Sequence, residues 1–264
     1  MNTRRAARFA AIAVTLLFAS CHRDGDRTLE EMIDHSYPLD ATATLSITNR
    51  DGSIRVYGAG AETHDVRVEA IKKAYSPERL KAISVNIAAQ RDSITITTTY
   101  PDDPRFGLSD RSGTVDYVIV VPQSMRIAKL DLANGEVLVE GLRSDEARVE
   151  LGNGRLFVHN CFGNLELGLH TGNLAIVYEW WEEQEFAIRA TIQDGNAFAY
   201  IPSDAAFHVI AHTATGKIAN DFSEKEDRHP EPTNKVDMLV NGGGETTFQF
   251  ENQDGNIKIS EHNP

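Results

Sequence analysis

The chain contains 264 residues, of which 41% are hydrophobic and 25% are charged, and its formal net charge is −13. This length and apolar fraction suit one large domain or two small ones with a packed core. There is no stretch of about 20 apolar residues, which argues against a membrane-spanning helix. The acidic balance argues against general nucleic-acid binding. Two cysteines are too few for a disulfide framework or a cysteine-rich zinc site.

The first twenty residues have the pattern of a targeting segment. Arg4, Arg5 and Arg8 precede an apolar run from Phe9 to Ser20. Twelve helical residues rise about 18 Å, which is too short to cross a hydrocarbon core of about 30 Å. Positive charge followed by a short apolar run and small residues predicts a secretory signal peptide over residues 1–20.

The residues that lead to Cys21 predict a lipid anchor. Leu17-Phe18-Ala19-Ser20-Cys21 resembles the bacterial lipobox, with phenylalanine at a position where leucine is usual. The resemblance implies cleavage before Cys21 and acylation of its thiol, and the residue that follows, His22, points to the outer membrane. An ordinary signal peptide with a chance cysteine is the alternative. Residues 21–40 are largely polar and are predicted to form a tether.

A short repeat runs through the predicted domain, residues 41–264. Each copy has a turn residue, then glycine, then alternating apolar residues, as in Asn153-Gly154-Arg155-Leu156-Phe157-Val158. Alternation also precedes the turn, at Ala147, Val149 and Leu151. Period-two alternation on both sides of a glycine predicts a strand, a turn and a second strand. The glycines of the copies are Gly52, Gly135, Gly154, Gly172, Gly195, Gly216 and Gly255, and the Gly216 copy is the weakest.

Two architectures fit this repeat. Asn-Gly between alternating strands is typical of a β-hairpin and would give an antiparallel β-sandwich. The spacing favours a solenoid, because successive glycines from Gly135 onward lie 19, 18, 23, 21 and 39 residues apart, and 39 is close to two periods. We therefore predict an all-β, single-domain β-solenoid with parallel coils of about 18–23 residues. The sandwich is the alternative.

The region between residues 59 and 122 is less regular. Ser76-Pro77-Glu78 predicts a short helix that ends near Ala82, because serine caps helices and proline is favoured in the first turn. Two polar segments, 101–113 and 223–235, are predicted to be loops. The predicted strands of this region are Val66–Ile71, Ile83–Ala88, Ser93–Thr99 and Val115–Val121.

Residues 118–160 resemble a bacterial adhesin-like domain of unknown function. That family has a Val-Pro strand end, repeated Asn-Gly turns and a final coil with paired glycines, which correspond here to Val121-Pro122, the turns above and Asn241–Gly244. The segment 45–58 also fits, so the resemblance covers about residues 45–260. It implies a right-handed parallel β-helix in a cell-envelope protein, and it brings no catalytic residue.

The sequence contains no recognisable catalytic or metal-binding motif. His208 and His212 are predicted to share one strand face, as are His159 and Cys161, but neither spacing matches a zinc signature. We therefore predict no metal, no cofactor and no catalytic site. A carbohydrate-active β-helix enzyme is an alternative, because a carboxylate pair cannot be recognised without geometry. An accessory sensor of envelope stress is another.

One outward position of each repeat copy is a candidate for binding. The residue between the two apolar positions after the glycine should face away from the core. Stacked coils would align the apolar ones into a stripe that could contact an envelope protein or a second copy of the chain. These residues are Leu138, Phe157, Ala175 and Phe198 in the middle copies, and Arg55, Ala219 and Lys258 in the end copies.

The segment Glu179–Glu185, which lengthens one coil, supplies a second candidate. It contains Trp180 and Trp181, and adjacent strand residues point to opposite faces, so we predict one in the core and one exposed. An exposed tryptophan flanked by acids is a candidate for stacking on a glycan. Cys161 is predicted to be a buried free thiol, because Cys21 would be consumed by lipid.

These observations lead to one functional prediction. The protein is expected to be a non-catalytic lipoprotein of the cell envelope, held to a membrane through Cys21. Its β-solenoid would act as an adhesin-like interaction module, and its partner would be an envelope protein or a glycan.

Overall fold

The computed structural model describes residues 28–40, 42–60, 63–102, 112–223 and 233–262. Within these ranges the chain is all-β, with fifteen strands in one sheet and one short helix, α1 (Pro77–Ala82). The strands are β1 (Leu29–Pro38), β2 (Thr44–Ala59), β3 (Asp65–Ala74), β4 (Ser84–Gln90), β5 (Ser93–Thr99), β6 (Thr114–Pro122), β7 (Arg126–Glu140), β8 (Ala147–His159), β9 (Leu165–Val177), β10 (Ala187–Pro202), β11 (Phe207–Thr215), β12 (Ile218–Asn220), β13 (Lys235–Val240), β14 (Thr247–Asp254) and β15 (Ile257–His262).

Five of the repeat glycines lie inside continuous strands: Gly52, Gly135, Gly154, Gly172 and Gly195. Gly216 and Gly255 lie in the short gaps between β11 and β12 and between β14 and β15. β7, β8, β9 and β10 pair with one another in parallel and in register, so that their glycines are direct neighbours. In β8 the buried positions are Ala147, Val149 and Leu151 before Gly154, and Leu156 and Val158 after it. The alternation of buried and exposed side chains therefore shifts by one residue at the glycine. As a result, the buried side chains of both halves of the strand point into the same core. This parallel stacking confirms the predicted solenoid, and the antiparallel sandwich is wrong.

Glycine is required at this position for two reasons. Gly154 has a φ of 137°, a conformation that residues with a side chain rarely adopt. A Cβ atom on Gly154 would also overlap the carbonyl oxygen of Gly135 in the neighbouring coil. The same overlap recurs through a column of glycines, which in spatial order are Gly52, Gly135, Gly154, Gly172, Gly195, Gly255 and Gly216.

A short segment after each of these strands continues the stacking. The amide of Phe162 donates to the carbonyl of Leu142 at 2.8 Å, and that of Asn160 donates to Val177 at 2.9 Å. Asn160 turns the chain with a φ of 48°. Because of this turn, Cys161 is fully buried in the core whereas His159 remains partly exposed, so the predicted shared face of these two residues is wrong.

The order of the coils along the solenoid differs from their order in the chain. β14 pairs in parallel with both β10 and β11, and β15 pairs in parallel with both β10 and β12. The last coil of the chain therefore lies between two earlier coils. The 39 residues between Gly216 and Gly255 do not span two stacked coils, because they include β13, which pairs antiparallel with β11. At the other end, β2 lies between β7 and the coil formed by β5 and β6.

The predicted polar tether is partly wrong, because residues 29–38 form strand β1. β1 pairs antiparallel with β3 over its full length, from Leu29 opposite Ala74 to Pro38 opposite Asp65. Its side chains Ile33 and Tyr37 pack against the core. β1 lies at the edge of the sheet, and the side chains on its other face are exposed. Charged side chains on an edge strand hinder pairing with a further strand. Its polar composition therefore reflects its position at the edge of the sheet.

The elements predicted between residues 59 and 122 are confirmed. β3, β4, β5 and β6 correspond to the four predicted strands. The hydroxyl of Ser76 accepts a hydrogen bond from the Arg79 amide at 3.3 Å, and proline opens α1, as expected for its capping pattern. Most of both predicted polar loops lies outside the described residues, as do the predicted signal peptide (1–20) and Cys21.

Candidate interaction surface

Four predicted contact residues form a continuous row on the outer face of the solenoid. Leu138 pairs with Phe157, Phe157 with Ala175, and Ala175 with Phe198. All four are partly exposed, whereas the residues on either side of each along the strand, such as Val137 and Val139, are buried. We call this row the apolar stripe. Parallel in-register pairing creates it, because it places equivalent positions of successive repeats side by side.

The apolar stripe has a positively charged residue at each end. Arg55 pairs with Leu138 at one end, and Lys258 pairs with Phe198 at the other. Ala219 lies beyond Lys258, because the last coil of the chain inserts before the coil that contains β12. The Arg155 guanidinium lies 5.8 Å from the centre of the Phe157 ring and forms an ion pair with Glu136 at 2.6 Å. Basic groups therefore border the stripe although the chain as a whole is acidic.

An apolar groove continues the stripe at the C-terminal end of the solenoid. The groove encloses about 610 Å³, and Phe198 of the stripe forms part of its wall together with Ile218, Val236 and Ile257. Polar residues such as Asn196 surround it. Apolar walls with a few polar groups at the rim are the usual composition of a protein contact or ligand site.

The two adjacent tryptophans divide between core and surface, as predicted. The Trp181 ring packs against Tyr178, Phe207 and Phe248, with ring centres 5.6–6.2 Å apart. Trp180 is 47% exposed. The insertion Glu179–Glu185 therefore completes an aromatic core with one tryptophan and displays the other.

Trp180 is held in place by a chain of polar contacts. Its indole Nε1 donates a hydrogen bond to Glu182 Oε1 at 2.9 Å, and Arg143 donates to both oxygens of Glu182 at 2.7 and 2.8 Å. The hydrogen bond from Arg143 lowers the pKa of Glu182, and the bond from Trp180 adds to that effect. The Arg143 guanidinium also lies 5.1 Å from the centre of the Phe162 ring. Sequence reasoning missed this arrangement, because Arg143 and Glu182 are 39 residues apart.

A polar groove of about 620 Å³ lies on the outer face of the strand halves that precede the glycines. Its wall includes Glu150, Glu166 and Arg189. Arg148 pairs with Glu166 through two hydrogen bonds of 2.6 and 2.9 Å. Burial raises the pKa of Glu150, and the negative charge of Asp131 raises it further. Acidic and basic residues thus share one groove, which would favour the carbohydrate-active alternative only together with a bound sugar.

The histidines singled out in the sequence pair with carboxylates. His208 Nε2 lies 2.7 Å from Asp237 Oδ1, and His212 Nδ1 lies 3.3 Å from Glu251 Oε2. In the described ranges, no group of three or more histidine, cysteine, aspartate or glutamate side chains is arranged to hold a metal ion. The same part of the chain contains no helix with the length and hydropathy needed to cross a membrane.

One solved structure supports the solenoid fold. A candidate cell adhesion protein from Clostridium sporogenes has a TM-score of 0.50 and 11% identity, and the match covers 89% of this chain and all of that one. A candidate adhesin from Bacteroides fragilis has a TM-score of 0.31 and 13% identity, with 87% of this chain and 97% of the other covered. A candidate lipid-binding protein from Parabacteroides distasonis has a TM-score of 0.31 and 8% identity, with 88% and 97% covered. The likeness to the Clostridium sporogenes protein concerns the fold alone, because the identity is 11%.

The family comparison covers most of the chain. A search of curated proteins found no match to this chain. The family model described as Toastrack DUF4097 matches residues 36–260, a span that begins within β1 and ends within β15. It therefore includes every coil of the solenoid, and the chain belongs to the Toastrack DUF4097 family.

Proposed function

We propose that this protein is a non-catalytic lipoprotein of the cell envelope whose solenoid binds a partner protein through the apolar stripe. The observation that carries the proposal is the in-register row from Leu138 to Phe198, which stays partly exposed on a rigid sheet. Aromatic side chains held by a rigid scaffold lose little entropy on binding, and they often dominate the energy of protein interfaces.

The charges at the ends of the stripe favour a different protein over a second copy as the partner. In a two-fold dimer with antiparallel stripes, Arg55 of one copy would face Lys258 of the other. Like charges held opposite each other oppose association. A partner with an apolar centre and acidic flanks would instead complement Arg55 and Lys258.

The anchoring part of the proposal rests on Cys21, which lies outside the described residues. Because β1 begins at Leu29, only residues 22–28 would separate the acylated cysteine from the folded domain. Seven residues reach at most roughly 25 Å. The N-terminal end of the solenoid would therefore lie close to the membrane surface, and two or more acyl chains would hold it there stably.

Globomycin, which blocks lipoprotein signal peptidase, tests the anchor. We expect the unprocessed precursor to accumulate in treated cells, and Cys21→Ser to abolish incorporation of labelled palmitate. Normal processing in the presence of globomycin would rule out the lipobox.

Crosslinking in intact envelopes, followed by binding measurements with the purified partner, tests the stripe. We expect Phe157→Ser and Phe198→Ser to weaken binding of the crosslinked partner, and Leu239→Ser, which alters an exposed residue on β13, to leave it unchanged. If the stripe and control variants bind the partner equally well, the stripe is not the binding surface. A wild-type dimer in analytical ultracentrifugation that Phe157→Ser dissociates would show that the stripe binds a second copy.

A further inference from the structure

A small pocket lies where the chain turns after β7 and β8, beside the exposed tryptophan. It encloses about 230 Å³, and its wall includes Trp180, Tyr57, Gln123, Glu140 and Arg143. Pockets for larger organic ligands usually exceed about 300 Å³. This pocket is therefore of a size for one small ring, and it is separate from the apolar groove at the end of the stripe.

Trp180 provides the pocket with a fixed aromatic wall. The ring is tilted by 33° against Phe162, with 6.0 Å between ring centres, and the hydrogen bond to Glu182 fixes the indole. Arg143 in turn fixes Glu182 with two hydrogen bonds. A rigid aromatic side chain that stays 47% exposed can contact a ligand with little further loss of conformational entropy.

The polar wall of the pocket offers unused hydrogen-bonding groups. The Tyr57 hydroxyl and the Gln123 side-chain amide have no protein partner within the described residues, and Tyr57 lies beside Glu140 in the register of β2 and β7. Together they offer an amide donor, a hydroxyl and a carboxylate acceptor. These groups suit a ligand with several hydroxyls, because each hydroxyl both donates and accepts.

The charge around the pocket limits which polyhydroxylated ligands fit. Glu140 and Glu179 each lie 3.4 Å from a different nitrogen of His159, and Arg143 neutralises Glu182. The wall itself holds one carboxylate, Glu140, and one guanidinium, Arg143. With the neighbours Glu179 and Glu182 included, carboxylates outnumber the basic groups Arg143 and His159. A ligand that carries its own carboxylate would be repelled, whereas a neutral ligand would not.

We propose that this pocket binds one ring of a neutral glycan, with the C–H face of the sugar against Trp180. The sugar hydroxyls would hydrogen-bond to Tyr57, Gln123 and Glu140. The site is distinct from the apolar stripe, so this inference and the proposed partner binding can fail independently.

Calorimetric titration of the full mature lipoprotein in detergent tests the proposal. The probes are maltotriose, N,N′,N″-triacetylchitotriose and, as the acidic comparison, trigalacturonate. We expect at least one of the two neutral trisaccharides to bind and trigalacturonate to bind more weakly. Trp180→Ala should weaken that binding by about tenfold or more, and Trp180→Phe should retain most of it.

Two further variants distinguish stacking of the sugar on Trp180 from unspecific effects of a substitution. Tyr75→Ala alters an aromatic side chain that is 62% exposed outside the pocket, so it should leave the affinity unchanged. Gln123→Ala should weaken binding without altering the tryptophan. The proposal is overturned if neither neutral trisaccharide binds, or if Trp180→Ala and Tyr75→Ala bind the sugar equally well.

Discussion

The carbonyl oxygen of Gly135 occupies the space that a side chain on Gly154 would need. The two glycines are paired in register, and the same relationship links each glycine of the column to the next. Positive φ at these residues shifts the alternation of buried and exposed side chains by one residue. One continuous strand can therefore cover two sides of the core. The glycine column therefore explains both the continuous strands and the close approach of the coils.

Alanine at Gly154 should destabilise the protein strongly. The substitution combines a disfavoured φ with an overlap against the backbone of the next coil, and we expect a loss of roughly 2–4 kcal/mol in the free energy of unfolding. Chemical denaturation followed by circular dichroism measures this loss.

Two other glycines separate the causes of that loss. Gly242 also has positive φ, 86°, but a Cβ there would contact nothing within 4 Å. Gly242→Ala should therefore cost only the conformational part, about 1 kcal/mol. Gly60 has neither a positive φ nor a neighbouring atom within 4 Å of the added Cβ, so Gly60→Ala should leave the free energy of unfolding nearly unchanged. Equal losses at Gly154 and Gly242 would contradict the close coil approach.

Much of the fold could be predicted because the repeat is local. Alternation on both sides of Gly154 and near-constant spacing are visible in the sequence, and they suffice for parallel coils and for the row from Leu138 to Phe198. The coil order could not be predicted, because the insertion of β14 between β10 and β11 depends on pairing between distant segments. β1 was missed because an edge strand with one exposed face has the composition of a linker.

The Trp180 pocket shows the same limit at the level of a site. The sequence indicated that one tryptophan of the insertion would be exposed. It did not indicate that Arg143 fixes Glu182, or that Tyr57 and Gln123 reach the same corner. These residues come from different coils, and only the stacking register brings them together.

The Cys161 thiol should be unreactive in the folded protein. Complete burial raises its pKa to about 12, so the native thiol stays protonated over the usual pH range. Labelling with iodoacetamide at pH 8.5 should be negligible until the chain is denatured. Rapid labelling of the native chain would contradict the burial.

The same thiol should make stability depend on alkaline pH. An unfolded thiol has a pKa of about 8.5, so the folded state binds the proton more tightly. This contribution to stability is fully present below that value and is lost as the pH rises towards about 12. Cys161→Ala should remove this part of the pH dependence, which denaturation midpoints at pH 8 and pH 10.5 would reveal.

The fixed position of Trp180 should be lost at acid pH, whereas the contribution of Cys161 is lost at alkaline pH. Hydrogen bonds from Arg143 and Trp180 lower the pKa of Glu182, so its carboxylate favours the folded arrangement above its ordinary pKa of about 4.3. The effect is lost as the pH falls through the lowered pKa. Fluorescence of Trp180 should change in that acid range, and Glu182→Gln should remove the transition while leaving neutral-pH folding intact. An unchanged transition in Glu182→Gln would assign it to another group.

Residues on the inner face of β1 should contribute to stability, which a tether would not. Ile33 and Tyr37 pack on the core, so Ile33→Ser with Tyr37→Ser should lower the free energy of unfolding by about 2–3 kcal/mol. Met32 lies on the same strand but is 62% exposed. Met32→Ser should therefore change stability by no more than about 0.5 kcal/mol. Equal effects of the inner-face and Met32 variants would restore the tether interpretation.

Hydrogen exchange can test the inserted last coil without altering the chain. If coils stacked in chain order, residues 247–254 would lie at the C-terminal end of the solenoid, where amides exchange fastest. In the structure β14 has a parallel partner on each side, whereas β13 pairs only with β11 among the strands of the described ranges. We therefore expect β14 amides to be protected to nearly the same degree as those of β10, and β13 amides to exchange earlier although they precede β14 in the chain. Faster exchange in β14 than in β13 would place the last coil at the end of the stack.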